Sequence, residues 1–115
     1  MSSEKQSKLN VASDYFLGEA KCTSNDIERI ADFFKAFSDP TRLKILYTLS
    51  LQGALDVGCI AVRIKMTESA VSHQLKVLKQ QRLVASTREG KYVFYSLDDG
   101  HIDSVLNAAF EHISE

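Results

Sequence analysis

The apolar residues of this sequence change their spacing twice, and this change constrains the fold more than any other feature. Up to about residue 82 they recur every three or four residues, which is the spacing of helices that bury one face. The segments "LVAST" and "YVFYSL" then alternate at every second residue and flank "REGK", where Gly90 can take the positive φ of a tight turn. After residue 98 the helical spacing returns. The pattern predicts an α+β chain that is mainly helical and carries one β-hairpin.

Local signals set the ends of the first predicted helices. Asn25 and Glu28 have the spacing of a capping box at the start of one helix. Asp39 as N-cap and Pro40 at the first helical position begin the next helix, which stops at Gly53. We therefore expect two successive helices in the first half of the chain.

Two further helices are predicted before the hairpin. A short one fits residues 55–64, and Thr67 is placed to cap the other. The apolar residues of that second helix share one side, namely Val71, Leu75 and Leu78. Its polar residues fall within an arc of about 100° on the opposite side, namely Ser69, Ser72, His73, Lys76 and Gln80.

The chain of 115 residues has the length of one ordinary domain. We divide it into an N-terminal arm, residues 1–24, and a domain, residues 25–115. Apolar residues between positions 9 and 16 have helical spacing, so we expect the arm to be partly helical.

Composition and motifs exclude several classes of protein. No apolar run approaches the length of a membrane span and no signal-peptide pattern is present, so we expect a cytoplasmic protein without a membrane partner. Two cysteines are too few for a disulfide framework, and free thiols are expected. The sequence has no HExxH, P-loop, GxGxxG or nucleophile motif, which argues against an enzyme.

The net charge of −1 hides an uneven distribution. Residues 63–91 carry seven basic and two acidic groups, whereas residues 92–115 carry five acids and neither Lys nor Arg. The basic segment contains the helix with the polar arc, and Arg88 and Lys91 lie at the hairpin tip, where they could contact phosphates. A polar helix face exposed only to solvent is the alternative, and the basic hairpin favours DNA.

Three segments, "FFKAFSDPTRLKILYTLS", "ESAVSHQLKVLKQQRLV" and "REGKYVFYSL", closely resemble the ArsR/SmtB family of winged-helix metal-sensing repressors over about residues 26–115. The resemblance implies a winged helix-turn-helix with a hairpin wing, a homodimer through the first and last helices, and double-stranded operator DNA with an inverted repeat. It also implies a set of DNA-contacting residues on the helix and the wing: Ser69, Ser72, His73, Gln74, Lys76, Arg88 and Lys91. Gln74 lies away from the polar arc.

The last predicted helix carries His101 and His112 eleven residues apart. They share a face but are separated by about 16 to 17 Å along the axis, so one ion cannot contact both. Two antiparallel copies would pair Asp99 and His101 of one chain with His112 and Glu115 of the other, giving two sites per dimer. This pattern matches the zinc-responsive SmtB-like branch of the family. The alternative is that Asp99 only caps the helix and His112 only interacts with the helix dipole.

These features predict a repressor that binds its operator as an apo-dimer and is released by Zn(II). Nitrogen and oxygen donors suit Zn(II), and Co(II) or Ni(II) could also bind. The resemblance suggests that His112 donates its second ring N–H to a backbone carbonyl near Arg82, which would couple the metal to the DNA-binding helix. His73 is assigned to DNA rather than to metal.

The plainest interpretation of the cysteines is a buried structural Cys59 and an incidental Cys22, but other interpretations stay open. Asp56 and Cys59 are three residues apart on one helical face, so a second metal site completed by Cys22 is conceivable. A thiol-based redox switch using Cys22 and Cys59 is one competing function. A dimeric DNA-binding protein that responds to no ligand is the other.

Overall fold

A computed structural model describes residues 22–115. Within them it has five helices: α1 (Ser24–Phe37), α2 (Pro40–Gln52), α3 (Val57–Ile64), α4 (Glu68–Gln80) and α5 (Gly100–Ile113). The three strands are β1 (Leu55–Asp56), β2 (Val84–Glu89) and β3 (Tyr92–Leu97). The described residues divide into two units, which meet between residues 35 and 36. The predicted helical spacing between positions 9 and 16 lies outside the described residues.

Helix α1 begins earlier than predicted. Thr23 and Asp26 form a reciprocal cap: the Asp26 backbone N–H donates to Thr23 Oγ1 over 3.1 Å, and the Thr23 backbone N–H donates to Asp26 Oδ2 over 3.0 Å. The predicted capping box of Asn25 and Glu28 is therefore wrong, because both residues already lie inside the helix. Thr and Asp at this spacing form the same kind of reciprocal cap two residues earlier, on the backbone N–H groups of Thr23 and Asp26.

Helix α2 has the predicted ends. The Asp39 carboxylate accepts a 3.0 Å hydrogen bond from the Arg42 backbone N–H, and Pro40 is the first helical residue. At the other end Gly53 has φ of 82°, a conformation that residues with a Cβ avoid, and its N–H donates to the Leu49 carbonyl over 2.9 Å. Both predicted signals are confirmed.

The hairpin is confirmed, and it belongs to a sheet of order β1-β3-β2. β2 and β3 pair antiparallel from Val84 opposite Leu97 to Glu89 opposite Tyr92, and Gly90 has φ of 64°. The short β1 was not predicted. Its residue Leu55 pairs with Tyr95, so α3 begins at residue 57 and not at residue 55.

The second unit packs its helices and sheet around one apolar core. The side chains with at most 3% exposure come from α2 to α5, from β2 and from Leu83 just before it: Ile45, Leu46, Leu49, Ile60, Val71, Leu75, Leu78, Leu83, Val84, Ile102 and Leu106. The three residues that join α3 to α4 begin with Lys65, whose φ of 58° turns the chain sharply. This core fixes α4 between α3 and the hairpin, as in a winged helix-turn-helix. Among residues 22–115 no helix is long and apolar enough to span a membrane.

Candidate DNA-binding surface and metal-sensing helix

Helix α4 is held so that one face points to solvent. Thr67 Oγ1 accepts a 3.1 Å hydrogen bond from the Ala70 backbone N–H and starts the helix where predicted. The three apolar residues of its inner side have 0% exposure. The opposite side chains are exposed, namely Ser69, Ser72, His73 and Lys76. Small hydroxyl groups, an imidazole and an ammonium group on one exposed face are suited to base edges and phosphates in a major groove.

Gln74 lies on a different side of α4. It is half-buried, and its Oε1 accepts a hydrogen bond from Arg42 Nη1 at 3.5 Å. Arg42 in turn donates through Nε to the Ala36 carbonyl over 3.3 Å. The structure therefore does not bring Gln74 onto the face shared by Ser72 and His73, and its DNA contact stays a prediction.

The hairpin presents basic groups at its tip. Arg88 and Lys91 are exposed on either side of Gly90, and Arg88 Nη1 lies 3.5 Å from the Gly90 carbonyl oxygen, to which it donates. Lys91 Nζ lies 5.6 Å from the centre of the exposed Tyr92 ring. This placement leaves both cations accessible to a phosphate backbone, as predicted for a wing.

A contact that the sequence did not reveal connects α4 to the wing. Lys79 Nζ donates a 2.6 Å hydrogen bond to Ser86 Oγ, which joins the last turn of the helix to β2. Arg82, which follows α4, has φ of 62°, and its N–H donates to the Lys79 carbonyl. Sequence spacing gives no signal for the Lys79–Ser86 pair, since helix and strand periodicities do not predict contacts between them.

At the start of α5 the structure brings Asp99 and His101 together. The Asp99 carboxylate accepts a 2.8 Å hydrogen bond from the His101 backbone N–H, and the same oxygen lies 3.3 Å from His101 Nδ1. This N–H lowers the pKa of Asp99 below its usual value, and the His101 side chain contributes further. Both groups remain accessible, with 94% of the His101 side chain and 52% of the Asp99 side chain exposed.

The spacing of these two donors can be compared with a zinc site. Two donors at 2.0 to 2.2 Å from a tetrahedral Zn²⁺ are about 3.3 to 3.6 Å apart. The observed separation of Asp99 Oδ1 and His101 Nδ1 falls in this range. The same separation is that of an ordinary ion pair between the two side chains, so the role of Asp99 and His101 as zinc ligands stays a prediction.

The other two predicted ligands lie at the opposite end of α5. His112 is in the last helical turn and Glu115 follows the helix, and both are exposed. Within residues 22–115 no group of three or more His, Cys, Asp or Glu side chains is arranged to hold a metal ion. One chain thus supplies two separate pairs of donors and not a complete four-ligand site.

Asp56 and Cys59 lie together at the start of α3. Asp56 Oδ1 accepts a 2.8 Å hydrogen bond from the Cys59 backbone N–H, which lowers the pKa of Asp56. The thiol of Cys59 also donates to this carboxylate, and this bond raises the pKa of Cys59. Cys22 precedes α1, and its thiol lies 3.8 Å from the Thr23 carbonyl oxygen. Cys59 is exposed, so the expectation of a buried structural Cys59 is wrong. Neither cysteine forms a disulfide within the described residues.

The family model of the bacterial regulatory protein arsR family matches residues 39–86, from the cap of α2 into β2. The Transcriptional repressor SmtB homolog of Synechocystis sp. is 42% identical over 88 residues, which cover 76% of this chain and 66% of that protein. The Cadmium resistance transcriptional regulatory protein CadC homolog of Staphylococcus aureus is 44% identical over 86 residues, covering 75% of this chain and 71% of that protein. The chain therefore spans about two thirds of the length of these relatives.

The chain also resembles a solved structure. The homodimeric winged helix-turn-helix DNA-binding domain of Mb0332 from Mycobacterium bovis matches with a TM-score of 0.71 and 28% identity, covering 77% of this chain and 82% of that one. The match extends beyond α4 and the wing, because it includes most of the described residues. The chain belongs to the ArsR family of bacterial regulatory proteins, and it is a winged helix-turn-helix transcriptional regulator rather than an enzyme.

Proposed function

We propose that this protein is a cytoplasmic, metal-responsive repressor that binds operator DNA as an apo-dimer and is released when Zn(II) binds. The observation that carries the proposal is the pair of exposed donors, Asp99 and His101, at a separation suited to tetrahedral zinc. His112 and Glu115 at the other end of α5 supply the two donors that this pair lacks.

DNA binding is proposed for the exposed face of α4 and the hairpin tip. Ser69, Ser72, His73 and Lys76 would enter or border the major groove, and Arg88 and Lys91 would contact phosphates. In a two-fold dimer the two α4 helices would lie about 34 Å apart, which calls for an inverted repeat. The two cations of the wing would contribute mainly to affinity and little to sequence preference.

The proposed dimer would cover apolar side chains that are exposed in the single chain. On α5, Phe110 is 40% exposed and Ile113 is 74% exposed. On α1, Ile27, Ile30 and Phe34 are 45 to 53% exposed and recur at helical spacing. Exposed apolar side chains on one helix face are typical of an interface, and the related Mycobacterium bovis domain is a homodimer. We infer that the first and last helices form the interface.

The donor atoms favour zinc over softer ions. Each site would have two imidazole nitrogens and two carboxylates, from Asp99 and His101 of one chain and from His112 and Glu115 of the other, so a dimer would bind two Zn(II). Co(II) and Ni(II) could also use these donors. The CadC homolog is named for cadmium resistance. Cadmium prefers thiolates, and the four proposed ligands include none.

Zinc would act by fixing the two α5 helices in one relative arrangement, which disfavours the dimer shape that places both α4 helices in the DNA. His112 would ligate through one ring nitrogen and donate the other N–H to a backbone carbonyl near Arg82, at the end of α4. Because such coupling is reciprocal, operator DNA must weaken zinc binding by the same factor.

The competing functions rest on weaker support. A redox switch needs a reactive thiolate, but the hydrogen bond to Asp56 raises the pKa of Cys59 and favours the unreactive thiol. A second metal site at Asp56 and Cys59, completed by Cys22, would have to break this bond first. A regulator without any ligand leaves the Asp99–His101 arrangement without a role beyond capping α5.

The test is operator binding by the apo-protein with and without zinc, using a fluorescent duplex that carries the upstream region of its own gene. We expect zinc to weaken binding of the wild type, and we expect His101→Ala and His112→Ala to bind DNA but to lose the response. Glu111→Gln, an exposed acid on the same helix, is the matched control and should respond normally. Equal binding of operator and random duplex, or an unchanged response in both histidine variants, would contradict the proposal.

A further inference from the structure

A hydrogen bond between two half-buried side chains joins α2 to α5. The Ser50 hydroxyl donates to Asp103 Oδ1, bridging 53 positions of the sequence. Ser50 lies near the end of α2, and Asp103 lies in the first turn of α5, on the same helix as the proposed zinc ligands. A hydrogen bond to a charged acceptor that is partly shielded from water is among the stronger side-chain contacts.

An aromatic contact supports this connection one turn earlier on α2. The rings of Tyr47 and Phe110 have centroids 4.6 Å apart and an interplanar angle of 44°. Tyr47 precedes Ser50 on α2, whereas Phe110 follows Asp103 on α5. The two helices are therefore in contact at two points along their length. A shift of α5 along α2 would break both contacts.

The other end of α2 is connected to α4. Arg42, in the first turn of α2, donates to Gln74 on α4 and to the Ala36 carbonyl. Arg42 and Ser50 are eight residues apart, about 12 Å along the helix. One rigid helix therefore contacts the proposed sensing helix at one end and the DNA-binding helix at the other.

We propose that Ser50 is a positioning residue for the response to zinc: its hydrogen bond to Asp103 passes a change in the position of α5 to α2 and, through Arg42, to α4. This inference rests on the proposed function, because it concerns the regulation of the same site. It is separate from the proposed link between His112 and Arg82, since it runs through different residues. Packed helices switch between discrete arrangements, so a fixed contact between them transmits a shift.

The experiment compares full-length dimers of the wild type, Ser50→Ala, Ser50→Thr and Ser50→Val. For each, operator affinity is measured without and with Zn(II), zinc stoichiometry is titrated, and thermal unfolding is recorded. Thr keeps the hydroxyl, whereas Val has nearly the same shape without it. Ser104→Ala is the control, because Ser104 Oγ donates only to the Gly100 carbonyl within α5, over 3.1 Å.

We expect the zinc-induced loss of operator affinity to be at least about fivefold smaller in the Ala and Val variants than in the wild type. Their apo-affinity should stay within about twofold of wild type and they should still bind one zinc per protomer. Ser50→Thr and Ser104→Ala should respond like the wild type. A merely structural role would lower the unfolding temperature without changing the ratio of affinities.

The outcomes separate the two proposals. If zinc does not change the operator affinity of the wild type, the proposed function is wrong, and with it this inference. If zinc lowers the operator affinity of the wild type and of the Ala and Val variants equally, only the inference is wrong. If Ser50→Ala does not fold, the comparison of Thr with Val decides the question, because these variants differ only in the hydroxyl group.

Discussion

The Asp99 carboxylate both caps α5 and lies beside the imidazole of His101. It accepts the His101 backbone N–H at 2.8 Å, and the His101 imidazole Nδ1 lies 3.3 Å from the same oxygen. One oxygen, Oδ1, therefore makes both contacts. Its capping role is shown by the structure, whereas its role as a zinc ligand stays a prediction.

Mixed dimers test whether each zinc site is shared between chains. Neither His101→Ala nor His112→Ala homodimers should bind zinc at the proposed sites. A heterodimer of the two variants should bind one zinc, because one of its two sites receives Asp99 and His101 from the second variant and His112 and Glu115 from the first. Co-expression with two affinity tags and a zinc titration would measure this. A heterodimer that binds no zinc would contradict a site that is shared between the chains.

Substitution of Asp99 separates capping from ligation. Asn is as good an N-cap as Asp but is a poor zinc ligand, so Asp99→Asn should keep the unfolding temperature and lose about tenfold or more in zinc affinity. Asp99→Ala should lose both. Calorimetric titration and thermal unfolding monitored by circular dichroism provide the two measurements. Equal zinc affinity in wild type and Asp99→Asn would leave Asp99 with the capping role only.

Cys59 should be an unreactive thiol. Its hydrogen bond to Asp56 raises the pKa of Cys59, so alkylation by iodoacetamide at neutral pH should be slow, and Asp56→Asn should accelerate it. Cys59→Ser should keep the response to zinc. The rate is followed by mass spectrometry, with Cys22 as the internal reference. Rapid alkylation of Cys59, or loss of the response in Cys59→Ser, would favour a thiol-based mechanism.

The salt dependence of DNA binding should identify phosphate contacts. Replacing Lys91 with Ala removes one contact per chain, so the slope of log affinity against log salt should fall by about 2 for the dimer. Arg88→Ala should behave in the same way. Lys44, which is exposed on α2, provides the control, and Lys44→Ala should leave the slope unchanged. If all three variants had the wild-type slope, the wing would not contact the DNA phosphates.

Stability should decrease in acid because three capping carboxylates titrate. Hydrogen bonds from backbone N–H groups lower the pKa of Asp26, Asp56 and Asp99 in the folded state, with Thr23, Cys59 and His101 as the respective donors. A lowered folded pKa means that the unfolded chain binds more protons, so this stabilisation is present above about pH 4 and is lost as the pH falls further.

The measurement is the urea midpoint at about pH 5 and about pH 2.5. The triple variant Asp26→Asn, Asp56→Asn, Asp99→Asn keeps amide caps that do not titrate, so its midpoint should fall less than that of the wild type. Asp32→Asn, on the exposed side of α1, is the control and should follow the wild type. An identical fall in the triple variant would mean that other carboxylates cause the acid sensitivity.

Contacts between distant residues account for what the sequence could not predict. Leu55 and Tyr95 are forty positions apart, and two residues are too few to show the alternation of a strand, so β1 was interpreted as the start of a helix. The Lys79–Ser86 and Ser50–Asp103 hydrogen bonds likewise join separate elements, and the periodicity of one element does not indicate which side chains of another it will contact. At the start of α1, two polar pairs at the same spacing competed, and the sequence did not indicate that Thr23 and Asp26 would form the cap.

The sequence by itself determined the features that depend on neighbouring residues. Capping acts within one turn, so the sequence indicated that Asp39 and Thr67 begin helices and that Gly53 ends one. Gly90 permits the hairpin because its turn requires positive φ. Only the tertiary structure decided that Gln74 lies away from the exposed face of α4 and against Arg42. It also decided that Asp99 Oδ1 and His101 Nδ1 lie 3.3 Å apart, since side-chain separation depends on the rotamers that packing and capping select.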